Sequence, residues 1–256
     1  MEIVNTLDSV TKQYIIAYRN RFNPTDEHVR TAIPLNRLNG VISFEERSVL
    51  FRVVNYLDSQ TNWKILHNIK WRIAKSSKGL ENDLPHTHAN LIFLPYNFVT
   101  LSFESIARMM LHEKIHIYQR LYPIPTVILF KTHWNIVMKR KRTSTAPTAR
   151  TNPDTNDILY YLYHPLTKSF GYYEATYLPT ALTLTDVTYT FVKESVILGH
   201  QDTTYFDLIE TFKIGQYDHP NEVMACLLTK MAFDDIQHRP TNKWINMYLK
   251  QNGISQ

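Results

Sequence analysis

The chain has 256 residues, 44% hydrophobic and 20% charged, and its 28 basic and 23 acidic side chains give a formal charge of +5. That length buries a sizeable core, and that balance excludes a largely disordered chain. The single cysteine, Cys226, excludes an intramolecular disulfide framework and a cysteine-built zinc cluster, and suits a reducing compartment.

The opening stretch MEIVNTLDSVTKQYIIAYRNRF breaks its apolar positions with Asp8, Lys12, Gln13 and Arg19, so it holds no signal-peptide core. No apolar run approaches the roughly 18 residues of a membrane span. A soluble, intracellular protein is expected, or one packaged inside something made intracellularly. In the first element, Val10, Tyr14, Ile15 and Tyr18 follow helical spacing over residues 8–20. Ser43 with Glu46 three residues on is a capping-box signature, and predicts a helix over residues 44–58. Ile69, Trp71 and Ile73 alternate with Lys70 and Arg72, the period of a half-buried strand. A polar stretch with Gly79 and Asn82 follows, then PHTHANLIFLP, whose centre reads as a second strand. The two predict a hairpin or neighbouring strands of one small sheet. Ser102 is placed to cap a helix through FESIARMMLHEKIHIYQRLY, with Glu104 in its first turn, and Pro123 and Pro125 end it.

Four basic residues, KRKR at 139–142, open the polar, proline-bearing stretch KRKRTSTAPTARTNPDTND. It reads as an exposed loop. A solvated basic loop is preferred over a nucleic-acid interface, because no basic stripe with interleaved aromatics surrounds it. Residues 157–200 are rich in Tyr, Thr and Val and favour strands, with TYTFVKESVIL left open between strand and helix. TYFDLIETFKI is helical in pattern, Pro220 suits the first turn of a helix through NEVMACLLTKMAFDDI, and NKWINMYLK makes a shorter one. Helix, strands, central helix, β-rich middle and final helices make an α+β protein rather than an alternating α/β one.

The central helix contains HEKIH. Residues four apart on a helix share a face, with Cβ atoms about 5–6 Å apart, so His112 and His116 can address one cation. Neutral imidazole is a good zinc ligand. Glu113, rotated away from His112, lies beside such an ion and can act as general base toward a water it activates. A hydrolytic zinc site takes three protein ligands and leaves one position open. A third histidine ten residues after His112 is ruled out, since position 122 is Tyr and position 119 is Gln. A glutamate from a second helix remains, and Glu222 in HPNEVMACLLTKMA is the candidate. On position alone it serves equally as a first-turn residue complementing the helix dipole.

HEKIH with the downstream run Asn221-Glu222-Val223-Met224-Ala225 resembles the HExxH plus NExxA pairing of gluzincin metallopeptidases, the zincin branch whose third ligand is glutamate. The chain also resembles uncharacterised HExxH proteins of large DNA viruses. The resemblance covers residues 85–122 and 217–233. It implies a zincin-like fold in which a small mixed sheet, with its edge strand, packs on the HExxH helix. It further implies a Zn²⁺ peptidase acting on a peptide or protein, with His112, His116 and Glu222 as ligands and Glu113 as general base. The strand in HANLIFL would be the edge strand that receives substrate, with His88 and Asn90 lining it.

His86 and His88 are read as substrate-lining or structural rather than as a second metal site. The domain would comprise a helical N-terminal segment (residues 1–60), the sheet and site helix (61–125), a tyrosine-rich insertion (126–205) holding the basic loop 139–157, and a helical C-terminal segment (206–256). An oxyanion donor is sought among Tyr172, Tyr173, His200, Tyr217, His219 and His238, and His219 is favoured because it stands just before the Glu222 helix. Gluzincins commonly carry an acidic residue four after the ligand glutamate, where it orients a metal-bound histidine. Here that position is Cys226, so the resemblance leaves the orienting group unnamed.

Overall fold

The structure is a computed structural model that describes residues 1–30, 32–60, 63–136, 138–141, 147–155, 158–194 and 202–250. In chain order the first half runs β1 (Glu2–Ile3), α1 (Ser9–Arg19), α2 (Pro24–Val29), β2 (Asn39–Gly40), α3 (Phe44–Gln60), α4 (Lys64–Asn68), β3 (Arg72–Ser76), β4 (His86–His88), β5 (Leu91–Leu94) and α5 (Phe103–Leu121). The second half runs α6 (Pro123–Ile128), β6 (Met138–Lys141), β7 (Ile158–His164), β8 (Ser169–Tyr177), β9 (Val187–Lys193), α7 (Thr204–Phe212), α8 (Pro220–Phe233) and α9 (Arg239–Tyr248). The class is α+β, as expected. No described helix is long and apolar enough to cross a membrane.

Local chemistry sets most helix starts. Asp8 accepts from the Thr11 amide at 2.7 Å and begins α1. At α3 the capping box closes in both directions, Ser43 N donating to Glu46 Oε2 at 2.7 Å and Glu46 N to Ser43 Oγ at 3.2 Å. Ser102 Oγ accepts from the Ser105 amide at 3.1 Å and begins α5.

One sheet is mixed, in the order β1-β3-β5-β4, with β2 paired to β3 outside that path. β3 runs parallel to both β1 and β5, while β4 runs antiparallel to β5. This corrects two expectations. The first strand starts at Arg72, because Lys64–Asn68 is helical and Ile69 closes that turn. More consequentially, the HANLIFL strand is not the edge: β5 lies between β3 and β4, and the edge strand is His86–His88. The reason is burial on both faces. Ile92 and Leu94 join the large core with α3, α5 and α8, whereas Leu91 and Phe93 pack with Val4, Leu7 and Ile15 on the other side. A strand apolar on both faces belongs inside a sheet covered by two layers.

The other sheet is antiparallel, β6-β7-β8-β9, built from the tyrosine-rich segments; β9 settles TYTFVK as strand, and the rest of TYTFVKESVIL from residue 195 lies outside the described residues. Tyr160, Leu162 and Tyr173 turn from it into the large core.

The expected exposed loop over 139–157 is also corrected. Residues 138–141 pair with β7, and residues 147–155 return to the interior. Ala149 bridges to Thr176, and Thr151 donates from its hydroxyl to the fully buried Asp26 at 2.6 Å. Asp26 also accepts from the Tyr177 hydroxyl at 2.8 Å. Pro147 and Thr148 are exposed, but Thr151, Asn152 and Asp154 turn inward, where their polar side chains serve as hydrogen-bond partners. Arg142, the last residue of KRKR, lies outside the described residues, as does His200.

Candidate metal centre

Helix α5 buries Leu111, Ile115 and Ile117 in the large core and carries His112 and His116 on a neighbouring face. Helix α8 packs against it, with Pro220 at its first position and Glu222 in its first turn. The two helices bring three donor atoms together. His112 Nε2 and His116 Nε2 are 3.0 Å apart, and each stands 3.5 Å from Glu222 Oε2. Donors held tetrahedrally on zinc at about 2.0–2.1 Å stand about 3.3 Å from one another. The spacing and the nitrogen, nitrogen, oxygen donor set therefore fit a zinc ion.

The surrounding groups fix these donors. His116 Nδ1 meets Gln119 Oε1 at 2.9 Å, and Gln119 Nε2 donates to the Asn221 carbonyl on α8 at 2.8 Å. Because Gln119 Oε1 can only accept, His116 Nδ1 carries the proton and Nε2 keeps its lone pair toward the centre. Asn152 Nδ2 donates to Glu222 Oε1 at 2.8 Å and leaves Oε2 facing the imidazoles. Cys226 lines the same cleft as His112, at the position where the gluzincin pattern has a carboxylate.

Gln119→Leu is expected to weaken zinc binding by roughly 10-fold to 100-fold, the usual effect of losing such a supporting contact. A chelator-competition titration reads this. Unchanged affinity would show that Gln119 does not hold the His116 ring.

Burial opposes charge on all three tripod groups, yet their pairing outweighs it. The two imidazoles hold Glu222 well below the usual carboxylate range. His112 is raised well above the ordinary histidine value by Cys226 and Glu222, and His116 is raised by Glu222 and Asp154. These directions describe a site that favours positive charge at its centre.

Glu113 is buried, and its Oε2 has no hydrogen-bond partner among the described residues. Burial, reinforced by the Asp154 charge, pushes its carboxyl up to about 8. Asp154 accepts from the Thr87 amide at 3.0 Å and lies 3.7 Å from Arg120 Nη1. Glu113, His116 and Asp154 also bring donor atoms within 4.8 Å of one another, so Asp154 belongs to the same centre. His112, Glu113, Asp154, Glu222 and Cys226 line one cleft of about 500 Å³.

Seven described sequence candidates do not line this cleft: His88, Asn90, Tyr172, Tyr173, Tyr217, His219 and His238. His219 caps α8: its Nδ1 accepts from the Asn221 amide at 3.1 Å and its Nε2 meets the Ile158 carbonyl at 3.1 Å. With both nitrogens on backbone, it lines a smaller hollow and not the cleft. His238 likewise caps α9 and bonds Thr241 at 2.7 Å. His88 is buried against Tyr14, Tyr18 and Phe93, and the exposed Asn90 accepts from Arg72 Nη1. The histidine of that strand which lines the cleft is His86.

Gln119 was legible by its spacing, three residues after His116 on the same helix face. Asn152 and Asp154 gave no signal, since a turn returning from elsewhere in the chain supplies them. The chain matches no protein-family model, no curated protein and no solved structure.

Proposed function

We propose that the protein is a zinc-dependent metallopeptidase of gluzincin type. The observation that carries this reading is the convergence of His112 Nε2, His116 Nε2 and Glu222 Oε2 within 3.0–3.5 Å, beside the unpartnered Oε2 of Glu113. A zinc ion held by these three would act as a Lewis acid on a substrate carbonyl and bring a water's pKa toward about 7. The chain's own contribution is proton handling and orientation. Glu113 takes a proton from the attacking water and returns it to the departing amine. Gln119 and Asn152 keep one lone pair of His116 and one oxygen of Glu222 directed at the centre. Substrate would enter the cleft beside the antiparallel edge strand that carries His86.

The test is metal content together with turnover. One zinc per chain, with hydrolysis of a denatured protein substrate that stops on chelation, supports the reading. A zinc ratio near zero after reconstitution sinks it. Zinc without hydrolysis favours a second reading, a zincin-like structural or binding protein that keeps the tripod without turnover. The specific observation behind that second reading is Cys226, a weaker acceptor than a carboxylate beside His112.

A further inference from the structure

Arg150 lines the same cleft as the tripod, yet the tripod makes no use of it. Its side chain is 6% exposed. Its backbone is pinned, since its amide donates to the Ala175 carbonyl at 2.8 Å and Ala149 bridges to Thr176. Nη1 donates to the Leu184 carbonyl at 3.3 Å. Nε and Nη2 have no hydrogen-bond partner among the described residues. Asp218 Oδ1 stands 3.7 Å from Nη2, an ion pair too long to be a hydrogen bond.

Nε and Nη2 are the pair of roughly parallel donors that an arginine offers to a carboxylate side-on. Burying both without a hydrogen-bond partner forfeits bonds that water would otherwise supply. Apart from Glu113, the general base of the proposed reaction, the other acidic groups and arginines of the cleft wall are engaged: Arg30 with Glu81 and Asp26, Arg108 with Glu104 and Asp234, Asp154 with Thr87, and Glu222 with Asn152 and the two imidazoles. Lys230, on α8, adds a second positive group to the lining.

We infer that Arg150 binds a carboxylate of the substrate, through Nε and Nη2, on a residue flanking the bond to be cleaved. This inference rests on the peptidase reading and names the substrate class. The carboxylate is either an acidic side chain or a free C-terminus. Cleft and guanidinium are preformed, so the recognition needs no rearrangement of the backbone that carries it.

The test uses the full-length chain carrying Glu113→Gln, so that peptides bind without being cut. Four pools of N-acetylated hexapeptides serve as probes. Two carry Glu and two carry Gln at randomised interior positions, and each kind is made with a free C-terminal carboxylate and with a C-terminal amide. Affinities are measured by competition with zinc bound and again after chelation, so failure to load metal does not leave the peptide arms unread.

A preference of about tenfold or more for one carboxylate source is expected, with Arg150→Ala and Arg150→Met abolishing it and Arg150→Lys keeping some of it. Preference for interior Glu assigns an acidic side chain, and preference for the free terminus assigns the substrate's own end. Equal binding of all four pools by the unsubstituted Arg150 chain overturns the inference, a result that does not depend on any variant folding. A preference that survives Arg150→Ala also overturns it. Zinc near zero sinks the peptidase reading; full zinc with no discrimination removes only the role given to Arg150.

Discussion

Glu113→Gln is expected to lower peptide hydrolysis by about 10³-fold, within the range usual for losing a general base, while the zinc content stays at one per chain. The amide has the size of the carboxylate but takes no proton, and position 113 contributes no donor to the tripod. A structural protein would lose nothing that its partners can sense.

The same substitution has a second readout in the chelated protein. The folded-state value for Glu113 is about 8, against an ordinary 4.5. The folded chain therefore holds a proton that the unfolded chain releases between those values. Stability associated with the protonated form is full below about pH 4.5, is lost as pH rises through about 8, and changes no further above that. Glutamine is exempt from this loss. The stability advantage of Glu113→Gln should grow from about 1 kcal/mol at pH 5 to about 4 kcal/mol at pH 8, or several degrees in Tm. Denaturation in chelator at both pH values measures it. An equal offset at both would mean that position 113 is not a desolvated carboxyl.

The other large effect concerns the metal. His116→Ala and His112→Ala should each weaken zinc by about 10³-fold or more, well beyond the 10-fold to 100-fold of a supporting contact. In the metal-free state the two should differ. His116→Ala removes the ring that Gln119 holds, and with it one link in the tie from α5 to the Asn221 carbonyl of α8. Gln119 is 5% exposed, so its abandoned oxygen costs about 1–3 kcal/mol. The side chain of His112 is 20% exposed and water can replace what it leaves. Calorimetric unfolding of both chelated variants should show His116→Ala the less stable. The reverse order would mean that Gln119 does not bind the two helices through His116.

Much of this centre was readable because its determinants are local. Ser102 and the spacing of Met110, Glu113 and Ile117 gave α5, and Pro220 gave the start of α8. Those two helices already carry the three converging donors. The same proline held the clue to the misplaced His219: when proline takes the first helical position, the residue before it is the cap, and its ring turns back on its own helix. The edge strand was misassigned because an apolar tetrapeptide does not say how many layers cover it; Leu91–Leu94 is covered on both sides. Asn152, Asp154 and Arg150 were invisible for another reason. They reach the centre through Asp26, Tyr177 and Thr176, contacts made across long stretches of chain that no short window contains.

His112 and Glu222 are 110 positions apart, with an entire antiparallel sheet between them. A small zinc-stapled module gathers its ligands from neighbouring turns and folds around the ion. Here α5 supplies two arms early, but the third exists only after the intervening strands have paired and α8 has docked. On the proposed reading folding would precede loading, with the apolar layers carrying the nascent chain. An ion captured there would close a loop of that length and act as a late clasp, strengthening a molecule whose shape is already made.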